Sequence, residues 1–380
     1  MACSASHSRS PASTGCGPSS PLTLPGGGLS AGRAPTAPVR FALVGYGAWG
    51  RHHAAAIRQA PGAVLAGIAC GSERSAAAAR HDHPDVSVVA DYHALLGRPD
   101  IDAVDVVVPN DRHVEVATAA LARGKDVLLE KPMAPTVEGC DRLLDAARQS
   151  GRVLSIGHEF RLSTQWGAIR RLLDAGELGR PLYALVSLFR FPYRQGSGGW
   201  RYDPARVGSW ILEEPVHFFD LVMWYFEGLG DPTSVLAVGN AKPRPGATGR
   251  MADDFSAIVR FPGGAYAVVT QTLAGFEHHQ VVEVVGTEGS ARAWWSGTMD
   301  RTRQPAFDLH VQRRGREAPE PVALGASGEL FELEEELRQT VAAFRNHRAL
   351  VPGEEARKRI VVCLEAERSL HEGREVPLRF

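Results

Sequence analysis

The chain has 380 residues, 44% hydrophobic and 22% charged, and its 42 basic and 43 acidic side chains leave a net charge of −1. That length and balance suit two ordinary globular domains with real cores. They exclude the basic excess of a general nucleic-acid binder or a polybasic membrane-surface protein, and no apolar run reaches the length of a membrane span.

Residues 1–37 are rich in Ser, Pro, Gly and Ala and contain no acidic residue. Such a segment buries too little surface to offset its ordering entropy and is expected to be a disordered tail. The apolar run 41–44 then reads as a buried parallel strand that enters a turn with Gly45, Gly47 and Gly50 at G-x-G-x-x-G spacing, followed by an alanine-rich helix around 54–57. Each glycine has a separate purpose in that setting. Gly45 permits the tight turn, Gly47 lets backbone approach a pyrophosphate, and Gly50 lets the helix pack closely on the strand. The helix N-terminus offers free N–H donors to the diphosphate. Gly45, Tyr46, Gly47, Ala48, Trp49 and Gly50 are therefore the expected dinucleotide loop.

Strands are expected at 63–69, 86–89, 103–108, 126–129 and 153–156, alternating with helices at 72–80, 92–96, 113–123 and 136–149. Alternation of this kind implies a doubly wound parallel sheet, with ligands beyond the carboxyl ends of its strands. From about residue 158 the rhythm changes to α+β. A helix at 166–175, a strand at 183–191, a helix near 214–226, strands at 234–238, 255–261, 265–273, 280–286 and 306–312, and closing helices at 330–345 and 354–370 imply a largely antiparallel sheet. Gly263-Gly264 marks a hairpin turn.

Two segments are chemically loaded. Glu130-Lys131-Pro132 ends a strand and puts an ammonium beside the cleft, where Lys131 can stabilise a developing alkoxide; a solvated Glu130–Lys131 ion pair is the structural alternative. In Glu213-Glu214-Pro215-Val216-His217-Phe218-Phe219-Asp220, the spacing of Glu213, His217 and Asp220 puts them on one helix face if the helix begins before Glu213. Pro215 is tolerated only in a first helical turn, however, so the helix is expected to start there with Glu213 at or just before its N-terminus. His217 exchanges protons near neutral pH without extreme tuning, although a core histidine tied to Asp220 has the same spacing. No acid occurs between Ala69 and Glu73, the region that would hold a ribose 2′-OH, whereas Ser72 and Arg74 leave room for a 2′-phosphate and favour NADP modestly. Cys3, Cys16, Cys70, Cys140 and Cys363 are scattered without a C-x-x-C pair, which argues against a zinc cage or disulfide framework, predicts no metal, and fits a reducing, cytoplasmic compartment.

With the glycine turn, Val107-Val108-Pro109-Asn110-Asp111-Arg112-His113, the run from Ala119 to Ala134 that contains Glu130-Lys131-Pro132, and the Glu213–Asp220 segment, the chain resembles the glucose-fructose oxidoreductase / inositol dehydrogenase / rhizopine-catabolism (Gfo/Idh/MocA) family from about residue 38 onward. The resemblance implies an N-terminal Rossmann domain (38–157) that binds NAD or NADP and a C-terminal substrate and oligomerisation domain (158–380) with an open sheet. It adds Pro109, Asn110, His113, Glu130 and Lys131 to the cofactor site, makes Lys131, His217 and Glu213 the catalytic set, and implies a cis Lys131–Pro132 bond. His158, Arg161 and Trp200 join Lys131, Glu213 and His217 as expected substrate contacts. Glu213 stands where the family usually has aspartate, and Pro215 where it often has glycine. The implied activity is hydride transfer between NAD(P) and a secondary alcohol or ketone of a sugar, cyclitol or polyol, in a homodimer or homotetramer joined through the open sheet. A redox-neutral NAD-dependent glycosidase or epimerase, and a non-catalytic NAD(P)-binding sensor, are the alternatives.

Overall fold

The computed structural model describes residues 37–242, 251–273, 275 and 277–380. The tail expected over 1–37 falls, apart from Ala37, outside the described residues. The first part of the chain alternates strand and helix as its hydrophobic pattern requires: β1 Val39–Val44, α1 Gly50–Gln59, β2 Ala63–Ala69, α2 Glu73–Asp82, β3 Ser87–Val89, α3 His93–Leu96, β4 Ala103–Val106, α4 His113–Ala122, β5 Asp126–Glu130, α5 Val137–Ser150 and β6 Leu154–Gly157. The strands form one parallel sheet in the order β3-β2-β1-β4-β5-β6. The order reverses between β1 and β4, so a crevice opens beyond the carboxyl ends of those two strands. Ser72 caps α2 through the Ser75 amide and Thr136 caps α5 through the Gly139 amide, which fixes where each helix leaves the sheet.

The rest of the chain runs α6 Trp166–Asp174, β7 Pro181–Phe189, α7 Pro204–Val207, α8 Trp210–Glu213, α9 Pro215–Tyr225, β8 Ser234–Asn240, β9 Asp254–Arg260, β10 Tyr266–Thr272, β11 His278–Gly286, β12 Gly289–Gly297, β13 Ala306–Arg313, β14 Glu320–Pro321, α10 Glu329–Arg345, α11 Gly353–Glu372 and β15 Val376–Pro377. Its nine-stranded sheet has the order β14-β13-β12-β11-β7-β10-β9-β8-β15 and is antiparallel except at β7–β10. One face is covered by α9 and α11. On the other face Leu185, Ile258, Val268, Val281 and Trp294 remain partly accessible, with Tyr266 and Val285 exposed beside them.

The sequence did not reveal β12, because glycine, serine and arginine interrupt its alternation. The hairpin at Gly263-Gly264 is present, with both residues at positive φ between β9 and β10. The helix α10 returns to the first sheet: Phe344 stacks on Phe41 at 6.2 Å, and Leu333, Leu337 and Val341 pack into the same core as Leu43 and Ile57. Each such fully buried side chain contributes about 1.5–3 kcal/mol. Because this face of α10 is anchored there, its acidic residues Glu329, Glu332 and Glu336 are carried into the interior.

Candidate active site

The glycine turn divides its roles as its spacing implies. Gly45 has φ +108°, and a Cβ there would lie 2.0 Å from the Val107 carbonyl oxygen; a Cβ on Gly50 would lie 2.0 Å from the Gly45 carbonyl oxygen. Nothing lies within 4 Å of the position a Gly47 Cβ would take. Two glycines therefore permit contact between backbone segments, and the middle one faces open space at the head of α1. A diphosphate fits that cradle. Tyr46 is buried and donates its hydroxyl to Asp82 at 2.9 Å. The Trp49 indole N–H donates to Glu130 Oε1 at 2.7 Å, and the Arg301 guanidinium stacks on the Trp49 ring at 4.5 Å.

At the end of β2, Ser72 and Arg74 are exposed, and Glu73 is paired along the helix with Arg80 at 2.7 Å. Pro109 precedes a short turn in which Asn110 is buried; its amide donates to Val207 O at 3.0 Å and to Glu213 Oε2 at 3.3 Å. The buried His113 ring lies between the Pro132 carbonyl at 2.7 Å and the Val108 carbonyl at 2.9 Å, so it braces the loops after β4 and β5 from behind.

Glu130 turns inward. It accepts from Trp49 and from the Lys131 backbone amide, and it meets His53 Nε2 at 3.0 Å, while His53 Nδ1 meets Asp105 at 2.8 Å. The sequence reading missed His53, since a histidine on an alanine-rich helix carries no local signal of two buried acids beneath it. Burial alone would lower His53, but Asp105 and Glu130 outweigh it and push the imidazole up to about 10.

The Lys131–Pro132 bond is cis. Lys131 Nζ donates to the Glu213 carbonyl oxygen at 2.7 Å and sits 4.0 Å from Glu214 Oε2. Burial opposes its charge, but Glu214, Glu213 and Glu130 more than compensate and hold the ammonium above its ordinary value.

The expected partnership of Glu213 with His217 is not what the structure contains. The helix breaks at Glu214, whose φ of −124° ends α8 and allows Pro215 to start α9, so the four-residue spacing does not place the two side chains on one face. The Glu213 carboxylate instead accepts from Arg201 Nε at 2.6 Å and from Asn110. Burial would raise Glu213, yet Arg201 and Lys131 keep it below the usual range. Asp220, the alternative partner, is engaged by Arg161 at 2.8 and 2.6 Å and by Arg359 at 2.8 Å. The carboxylate that does face His217 is Glu159, 3.7 Å from Nε2. Phe160 stacks on the imidazole at 4.5 Å with an interplanar angle of 17°. Burial, with the charges of Lys131 and His158, drives His217 well below its ordinary value.

Of the other expected substrate contacts, His158 is buried edge-on to His217 with centroids 5.8 Å apart, and burial lowers it to about 4. Arg161 is committed to Asp220 and to Glu355 at 2.9 Å, which leaves it a structural ion pair rather than a free fork. Trp200 is half-buried with the Arg201 guanidinium 4.7 Å above its ring. The structure thus gathers Lys131, Glu213, His158 and His217 at the ends of β5 and β6 and the start of α9, and turns Arg161 away into an ion cluster. Beside them, Glu214 Oε1 is buried without a hydrogen-bond partner among the described residues, and Arg190 meets Glu214 at 3.4 Å and Asp300 at 3.1 Å.

Residues 39–158 match the oxidoreductase family described by an NAD-binding Rossmann fold, and residues 166–292 match the GFO/IDH/MocA C-terminal domain. The chain belongs to the GFO/IDH/MocA family. It is 34% identical over 238 residues to a 1,5-anhydro-D-fructose reductase of Ensifer adhaerens, covering 62% of this chain and 69% of the relative. It is 29% identical over 256 residues to an inositol 2-dehydrogenase of Acidothermus cellulolyticus, covering 66% and 72%. An aldose-aldose oxidoreductase from Caulobacter crescentus shares the fold with a TM-score of 0.76 and 22% identity over 90% of this chain and all of that one. A levoglucosan dehydrogenase solved with NADH and levoglucosan does so with a TM-score of 0.75 and 21% identity over 90% and 100%. The family member described here is an NAD(P)-binding oxidoreductase of the dehydrogenase and reductase type. Among the described residues no helix is long and apolar enough to cross a membrane.

Proposed function

We propose that this oxidoreductase interconverts a secondary alcohol and a ketone on a sugar, cyclitol or related polyol. The observation that carries the reading is that the partly buried Lys131 amine, at the end of β5, donates to the Glu213 carbonyl at 2.7 Å, four residues before the buried His217. An ammonium held charged and an imidazole held neutral in one enclosed region are the two groups alcohol oxidation needs. Bound NAD(P) supplies the hydride acceptor or donor at its nicotinamide ring. Lys131 donates a hydrogen bond to the reacting oxygen and stabilises the negative charge that develops there. His217 accepts the hydroxyl proton in the oxidation direction and returns it in the reduction direction. Glu213 positions Lys131 through its main-chain carbonyl, and Asn110 with Arg201 hold Glu213 in place.

The division of labour follows the two sheets, with the parallel one (38–157) carrying the nucleotide and the remainder (158–380) the substrate. NADP is the favoured nucleotide: Arg74 is exposed with no carboxylate partner among the described residues, and no acid precedes Glu73 to repel a 2′-phosphate. The partly apolar open sheet face around Leu185, Val268, Val281 and Trp294 supports a homo-oligomer in which a second copy covers it. Cys70, Cys140 and Cys363, free and buried, support a reducing, cytoplasmic setting.

The test is turnover of sugars, inositols and their keto forms with NAD and NADP, followed by nicotinamide absorbance. Lys131→Ala and His217→Ala should each lower kcat by roughly two to four orders of magnitude while the fold persists. Near-normal turnover in both variants, or product formation with no net absorbance change, refutes the assignment.

A further inference from the structure

We propose that Glu159, at the end of β6, is the proton-holding partner of His217: its carboxylate receives the proton that the imidazole takes from the substrate hydroxyl, and gives it back in the reverse direction. This rests on the alcohol–ketone reading above and deepens it.

Four carboxylates neighbour His217 in sequence or space, and three already face cations, Glu214 among them through Arg190 at 3.4 Å and Lys131 at 4.0 Å. Glu213 is bonded by Arg201 and Asn110, and Asp220 by Arg161 and Arg359. Glu159 is different. It is buried, and among the described residues its Oε2 has no hydrogen-bond partner and no arginine forms an ion pair with it. Its Oε1 lies 3.7 Å from His217 Nε2, while His217 Nδ1 is also buried and unpartnered. Phe160 stacks on the ring, so Nε2 faces Glu159 while Nδ1, without a partner among the described residues, is the nitrogen this proposal assigns to the substrate hydroxyl. A separation of 3.7 Å is a charge contact rather than a hydrogen bond, and such contacts tighten when substrate closes the site.

The groups facing this pair come from every element packed against it. Glu130 and Lys131 approach from the end of β5, His158 lies beside Glu159 in the chain, Asp220 is on α9, and Glu329 and Glu336 come from α10. Burial and the carboxylates Glu130 and Glu336 push Glu159 well above the usual carboxylate range, while burial and Lys131 push His217 well below the imidazole range. In water an imidazole outcompetes a carboxylate for a proton by about two orders of magnitude. Opposite displacements remove that preference, and a proton can then reside on either group.

The transfer balances as follows. With the Nε2–H directed at Glu159, the Nδ1 lone pair takes the proton of the substrate O–H; NAD(P)+, where bound in the glycine cradle, would supply the acceptor for the hydride of the adjoining C–H. The Nε2 proton moves to the Glu159 carboxylate, which becomes a carboxylic acid. The ring is left neutral as the Nδ1–H tautomer, which is the form that protonates a ketone oxygen on the way back. Glu159 acts through His217 and is a positioning and proton-storing residue.

The experiment has an activity arm and a ligand-free arm. In Glu159→Gln, kcat should fall by about 10- to 100-fold with KM within about 3-fold, and the pH–kcat profile should lose or displace one limb. Glu159→Asp should recover part of the rate. Should Glu159→Gln fail to fold by circular dichroism, Glu159→Asp alone serves, with a reduced kcat and unchanged KM expected. In the cofactor-free protein with 13C-labelled glutamate, the Glu159 carboxyl resonance, identified by its absence from Glu159→Gln, should titrate well above the ordinary glutamate range. A Glu159 resonance titrating in the ordinary range near 4, or a Glu159→Gln pH–kcat profile superimposable on wild type, overturns the proposal. Normal turnover in Lys131→Ala and His217→Ala would overturn the underlying reading instead, so the two failures are distinguishable.

Discussion

Replacing His53 with glutamine tests the buried charge cluster beneath the glycine turn. His53 is 1% exposed and contacts Asp105 at 2.8 Å and Glu130 at 3.0 Å. The substitution removes the cation and leaves two buried acids. An imidazole raised from 6.5 to about 10 stabilises the fold by roughly 5 kcal/mol at most, at about 1.4 kcal/mol per tenfold change in proton affinity. Breaking a buried ion pair from one side costs about 3–5 kcal/mol, so the two estimates agree. Because the folded value is raised, the stabilisation is complete below the unfolded value of 6.5 and disappears as pH climbs through about 10. Urea unfolding of wild type and His53→Gln should therefore differ by about 3–5 kcal/mol at pH 6 and converge by about 1.4 kcal/mol per pH unit above the ordinary histidine value. A stability gap below about 1 kcal/mol at pH 6, or one that does not change between pH 6 and 10, would refute the ion-cluster argument.

Gly47→Val should fold with a melting temperature close to wild type yet lose NADP affinity by calorimetry, whereas Gly50→Val, whose Cβ meets the Gly45 carbonyl, should fail to yield folded protein. Arg201→Leu strips the charge partner from buried Glu213 and should lower unfolding free energy by about 3 kcal/mol in urea titrations. If a second copy covers the open sheet face as proposed, Val268→Glu should give a monomer by light scattering where the wild type does not, without altering the far-ultraviolet circular dichroism.

The parallel sheet could be read from sequence because its strands are continuous apolar runs and its turns carry glycine and proline, signals that are local. The two ends of the site were legible for the same reason: Gly45, Gly47 and Gly50 announce a turn, and Glu130-Lys131-Pro132 announces a strand end. What could not be read was direction. Glu130 looks outward in sequence, next to a lysine, yet its carboxylate points down onto His53, 77 residues earlier. The helix start at Pro215 was legible, but the carboxylate of Glu213, spaced to meet His217, is taken by Arg201, 12 residues earlier. Arg161 carried the right charge for substrate and was drawn away by Asp220, 59 residues on. In each case a long-range partner decided the outcome, and helical or strand periodicity carries no information about it.

The 2.7 Å link from the Lys131 amine to the Glu213 main-chain oxygen has a mechanical consequence. It staples the segment after β5 to the last residue of α8 at the proposed reaction point, so a clamshell opening would unhook the amine each cycle. Without such an opening the amine stays aimed throughout, and scattering profiles recorded with and without nucleotide should superimpose.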